Sequence, residues 1–173
     1  ADHKVWEIPR RLPAPERVAE ARERIKGPVA HKDWVWAKET LLLDALIAKK
    51  HDVEVEVQAI QVGPVVCLSN PAEYFVSYGL QLKKRSGFPM TFPVELANGC
   101  VGYVPDEEAF GPNGGGYETR LTSYSNLEIT AGTQFMNVGL ELAAKMKPAK
   151  LPERPNGPVG KPWAYGDQPP QLK

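Results

Sequence analysis

The stretch Asp52-Val53-Glu54-Val55-Glu56-Val57-Gln58-Ala59-Ile60-Gln61-Val62-Gly63-Pro64-Val65-Val66-Cys67-Leu68-Ser69 decides the fold class. Val53, Val55 and Val57 alternate with Glu54, Glu56 and Gln58, the period of two that marks a strand with one solvated face. The alternation shifts at Ala59-Ile60, where Ile60 and Val62 are expected to take the inward phase through a bulge or a passage into a two-sided environment. Gly63-Pro64 turns the chain, and Val65-Val66-Cys67-Leu68 is a continuous apolar run that reads as a buried strand. A buried strand leading directly into a helix start is a common place for α/β folds to put chemistry.

Downstream, Asn70-Pro71-Ala72-Glu73 has the form of such a start, with Asn70 as cap, Pro71 at the first helical position and Glu73 placed to reach back to the cap amide. The helix is expected over 71–85, ending in Lys83-Lys84-Arg85, where cations suit the negative end of the helix dipole. Residues 91–96 and 100–104 read as strands separated by the Ala97-Asn98-Gly99 turn, and Pro105 to Phe110 as a single helical turn. Gly111 to Gly116 is a flexible stretch but not a phosphate loop, because no Gly-Lys-Ser/Thr follows. Helical spacing returns over 131–147 with Phe135, Val138, Leu142 and Met146.

Upstream, a short amphipathic helix is expected over 15–26 and a longer one over 34–50. The second is capped by Asp33, and its apolar girth predicts deep burial. Residues 1–13 read as an extended lead-in whose Val5, Trp6 and Ile8 dock on a neighbouring surface. Prolines recur from Pro148 onward, and Trp163 and Tyr165 favour a docked strap over a free tail. The expected fold is α/β: a mixed sheet from strands around 53–62, 64–69, 91–96 and 100–104, flanked by helices, with an extended Pro-rich C-terminal strap. One domain covers 1–147 and the strap covers 148–173.

Composition narrows the function. The 173 residues balance 21 Lys+Arg against 21 Asp+Glu. A zero net charge removes the electrostatic reason to expect a nucleic-acid or membrane-surface binder, since either needs a basic face. No apolar run approaches the roughly 20 residues that span a bilayer, so no transmembrane segment is expected. The opening Ala1-Asp2-His3-Lys4 has no initiator Met and no leader pattern, which reads as a processed product or a piece of something longer. Cys67 and Cys100 lack the spacing of a zinc knuckle or redox pair and are expected to be small buried hydrophobes. His3, His31 and His51 do not form a self-contained metal site, and no serine lies in a Gly-x-Ser-x-Gly elbow.

Three segments in order then carry a resemblance: Asn70-Pro71-Ala72-Glu73-Tyr74-Phe75, Leu96-Ala97-Asn98-Gly99-Cys100-Val101-Gly102-Tyr103-Val104-Pro105, and Gly115-Gly116-Tyr117-Glu118. They resemble the Pro-Gly-Glu-Phe, Leu-Ala-Asn-x-Tyr-x-x-Tyr-Val and Tyr-Glu-Gly-Gly segments of the neutral/alkaline, non-lysosomal ceramidase family. The resemblance runs from Gln58 to about Met146, the later part of that family's catalytic domain. It implies a zinc-dependent amidohydrolase acting on the N-acyl amide of a ceramide-like lipid, in a secreted or extracytoplasmic setting. Glu73 and Tyr103 are implied as zinc ligands, with Tyr103 and Tyr117 as the catalytic tyrosines, Tyr117 placed to hydrogen-bond the developing oxyanion. Ala72 stands where the family has glycine, and Cys100 where an aromatic is common.

The family's two histidine ligands lie upstream of this region, and none of the three histidines here carries their flanking sequence. The implied partner is therefore the upstream half of the catalytic domain, as a removed segment or a separate chain. Plainer readings stand beside these roles: Glu73 as a capping-box carboxylate, Tyr103 as a half-buried strand aromatic, and Tyr117 as a loop anchor. Lys83-Lys84-Arg85 and Glu107-Glu108 read as solvated surface. The alternative function is a non-catalytic domain that keeps the fold and docks to a partner through its aromatic, Pro-rich tail.

Overall fold

The computed structural model describes residues 1–153 and 171. The chain folds as an α/β domain with a mixed four-stranded sheet and four α-helices. The strands are β1 (Asp2–Pro9), β2 (Asp52–Val62), β3 (Val65–Ser69) and β5 (Met90–Val94), in the order β1-β2-β3-β5. The first two pairings are antiparallel, and β3 pairs with β5 in parallel. A separate two-stranded parallel ladder joins β4 (Glu73–Tyr74) to β6 (Tyr103–Val104). The helices are α1 (Pro15–Arg24), α2 (Trp34–Lys49), α3 (Val76–Arg85) and α4 (Ala131–Ala144).

The alternating stretch forms β2, as its period requires, but without the expected shift. Its ladder with β1 runs unbroken from Asp2↔Ala59 to Pro9↔Asp52, and Val62 pairs with Val65 across the Gly63-Pro64 turn. Val55, Val57 and Ala59 keep the inward phase, whereas Ile60 and Val62 face outward and are exposed. The apolar residue on the outer face reflects that face's chemistry and not a bulge. Gly63 takes φ 57° in the turn, a conformation glycine adopts without steric cost.

The lead-in is a full edge strand. Ile8 is completely buried, and Trp6 meets Phe135 edge-on at 5.7 Å while its indole Nε1 donates to Gln134 Oε1 at 3.2 Å. Conversely, residues 100–104 do not join the main sheet. β1 occupies the edge, and Tyr103–Val104 forms the small ladder instead.

Helices α3 and α4 cover the inner face of the sheet. Phe135, Leu142 and Val138 of α4 meet Val57, Val66 and Leu68 of the strands in one core. Tyr74 stacks flat on Tyr78 at 4.6 Å and donates its buried hydroxyl to Gly132 O at 2.6 Å. Helices α1 and α2 pack on each other to one side. Contrary to the expectation for the 34–50 segment, only Ala37, Thr40 and Leu43 of α2 are buried, and Leu42 and Leu46 are exposed. Asp33 occupies the N-cap position, but its side chain makes no capping bond.

The outer face of the sheet carries no helix-facing pattern, yet it is apolar at one end. Register places Val62, Val65 and Met90 in one row and Ile60, Cys67 and Phe92 in the next, with Val94 beyond. Phe92 is 48% exposed. Among the described residues no helix is long and apolar enough to cross a membrane. The tail with Trp163 and Tyr165, where a strap is expected, lies outside the described residues.

Candidate functional site

The expected helix at 71–85 begins only at Val76, with Phe75 as its N-cap. Residues 70–75 are drawn into extended structure because two flanking segments satisfy their backbone. On one side Asn70 N donates to Val94 O, Leu96 N to Ala72 O and Ala97 N to Asn70 O. On the other, Val101 N donates to Pro71 O, Glu73 N to Gly102 O and Phe75 N to Val104 O. Asn70 Oδ1 still accepts a local bond, from Ala72 N at 3.0 Å, but in a turn and not at a helix cap. These long-range bonds override the local helix-start pattern. Glu73 is therefore no capping-box residue.

The ladder aligns Glu73 with Tyr103. Register partners on neighbouring strands project side chains to the same face, so the two candidate ligands lie side by side. The Tyr103 ring is held between two others: Tyr117 at 5.4 Å and Tyr124 at 5.3 Å, both at 78°. The three candidate site residues, Glu73, Tyr103 and Tyr117, thus share one cluster. Tyr117, just after the expected glycine-rich loop, sits in a short 3-10 turn (Tyr117–Thr119).

The cluster also contains residues that sequence reasoning did not select. Tyr124 donates its hydroxyl to Glu73 Oε1 at 2.8 Å, and Cys100 Sγ lies 3.4 Å from the same hydroxyl. Nothing in the local sequence of Tyr124 signals this role, since its reach depends on how residues 117–126 fold back. Cys100 is exposed and Cys67 half-buried, both as free thiols, which corrects the expectation that they are buried. Cys67 faces outward on β3, and Cys100 lies in the loop before β6.

Electrostatics favour neutral phenols here. The neighbouring Tyr103, reinforced by the Glu118 carboxylate, pushes the Tyr117 hydroxyl up to about 12. Tyr124 is raised further, first by Cys100 and then by Glu73, because an ionised phenol beside an acceptor or anion is disfavoured. Both groups stay protonated at neutral pH and can donate hydrogen bonds.

The donor set partly fits a zinc ion. A carboxylate and a phenol oxygen on one face are oxygen ligands of the kind zinc accepts at about 2.0–2.2 Å. Among the described residues, however, no three His, Cys, Asp or Glu side chains converge to hold a metal. His31 is tied to Asp33 at 3.8 Å and His51 to Asp52 at 2.5 Å, while His3 stands on β1. The described residues therefore supply part of a four-coordinate centre. The other charged runs are surface: Lys83, Lys84 and Arg85 are exposed at the end of α3, and Glu107 and Glu108 are exposed in a 3-10 turn (Glu107–Phe110).

Comparison of the chain with family models, curated proteins and solved structures finds no match to any of them.

Proposed function

We propose that this chain is part of a zinc-dependent amidohydrolase, similar to neutral ceramidase, that hydrolyses the N-acyl amide of a ceramide-like lipid. The observation that carries this reading is the alignment of Glu73 with Tyr103 on the β4–β6 ladder, with Tyr117 against the Tyr103 ring. A carboxylate, a phenol and a second phenol on one face suit the three roles that the resemblance implies. Zinc, when bound, would polarise the amide carbonyl and lower the pKa of its water to about 7.

The chain's own residues would do the rest. Glu73 and Tyr103 offer oxygens to the metal, and Tyr117, protonated at neutral pH, donates to oxygen charge as it develops on the substrate. Two histidine ligands would come from an upstream segment, removed or in another chain. The open apolar rows around Ile60, Phe92 and Val62 supply a surface that such a segment would cover, since large exposed apolar patches mark interaction sites. The extracytoplasmic location rests on the resemblance alone.

The same open face also favours the second reading, a non-catalytic domain that binds a partner. Zinc retention separates the two. In the assembled protein, Glu73→Gln is expected to abolish zinc binding while leaving the fold intact, and retained zinc and activity would remove the assignment.

A further inference from the structure

Tyr124 touches both candidate ligands at once. Its hydroxyl donates to Glu73 Oε1 at 2.8 Å, its backbone carbonyl accepts from Tyr103 N at 2.9 Å, and its ring lies edge-on to Tyr103 at 5.3 Å. The close approach of that carbonyl requires glycine at 102: a Cβ there would lie 1.8 Å from Tyr124 O. We propose that Tyr124 is a positioning residue of the metal site, holding one oxygen of the Glu73 carboxylate so that the other is presented to the ion. The inference rests on the zinc reading above.

At 41% exposure, a lone tyrosine–carboxylate bond would gain little unless the tyrosine is already held in place. The structure supplies that restraint. Arg11 spreads its guanidinium across the loop that carries Tyr124, donating to Leu127 O at 2.9 Å, Ser125 O at 3.0 Å and Thr119 O at 3.4 Å, while its own N–H reaches Asn126 O at 2.7 Å. From α2, Glu39 Oε2 accepts from Ser123 N at 3.2 Å and from the Ser123 hydroxyl, and the Arg120 guanidinium lies 4.0 Å over the Trp36 ring. Arg11 and helix α2, which lies outside the main core, thus act as a clamp on this loop. A carboxylate ligand whose free oxygen is hydrogen-bonded is fixed in orientation, as outer partners of metal ligands are.

The test is zinc affinity, by chelator competition, in the protein carrying its upstream histidine segment. Tyr124→Phe keeps the ring on Tyr103 and removes only the hydroxyl, so circular dichroism and melting should be near wild type. Zinc binding is expected to weaken about tenfold or more. In a Glu73→Asp background, which keeps a carboxylate for the metal but draws it back from the Tyr124 hydroxyl, Tyr124→Phe should cost nothing further, because the hydroxyl acts through the Glu73 carboxylate. An affinity of Tyr124→Phe within twofold of wild type, or the same loss in both backgrounds, overturns the positioning role while leaving the zinc reading intact. A wild-type assembly that binds no zinc removes both.

Discussion

Glu73 and Tyr103 face each other as register partners in a parallel ladder of only two residues per strand. They are 30 positions apart in sequence, and the ladder that joins them is held by backbone bonds from Glu73 N to Gly102 O and from Phe75 N to Val104 O. The site geometry therefore depends on a few residues around position 102.

Gly102 is the most sensitive of these. It takes φ 78°, and a Cβ would collide with the Tyr124 carbonyl. Gly102→Ala must both strain the backbone and push the Tyr124 loop away, at an expected cost of about 2 kcal/mol or more. Urea unfolding checks this, and an unchanged midpoint would show that the loop yields freely.

Alkaline pH should loosen the tyrosine cluster. A phenol whose pKa is raised in the folded state contributes stability that is complete below its ordinary value of about 10 and is lost as pH rises through the folded value. For Tyr117 the window is pH 10 to about 12. Melting temperature followed across that range should fall, and Tyr117→Phe should lessen the slope. An identical slope would mean that Tyr117 ionises as freely folded as unfolded. Tyr124, Tyr78 and the buried Tyr74 shift in the same direction, so the slope should not vanish.

The outer sheet face offers a third test. Phe92 projects from β5 between Met90 and Val94 on that face. Because it is exposed in this chain, Phe92→Lys should change the stability of the isolated chain by no more than about 0.5 kcal/mol. It should nevertheless prevent assembly with the upstream segment, read by co-purification. Normal assembly would mean that the segment covers another surface.

Much of the architecture is legible in sequence where the pattern is local. The period-two run gives β2, and the helical spacings give α1, α2 and α4 within a few residues. The misreadings come from long-range bonding. Asn70-Pro71-Ala72-Glu73 carries every local mark of a helix start, yet residues 94–97 and 101–104 capture its backbone. In β1 the inward positions include Asp2 and Lys4 beside Trp6 and Ile8, so no alternation reveals a strand. The many apolar residues of α2 predict deep burial, but the helix packs mainly on α1, which covers only one side.

The site was partly legible for a similar reason. Resemblance singled out Glu73, Tyr103 and Tyr117, and the fold gathers them. Tyr124 and its Arg11 and Glu39 supports could not be read, because the side-chain bonds that place them span 51 positions to Glu73, 84 between Ser123 and Glu39, and 116 between Arg11 and Leu127. Such pairings follow from how the loop closes, not from any spacing along it.

The most direct measurement is the zinc content of the native assembly, by elemental analysis together with intact mass and without added chelator, for wild type and Glu73→Gln. The account predicts about one zinc per complex in a species heavier than 19.1 kDa that contains the histidine segment, and its loss in Glu73→Gln with the fold preserved. A wild-type protein free of zinc, or full zinc retention in Glu73→Gln, would contradict it.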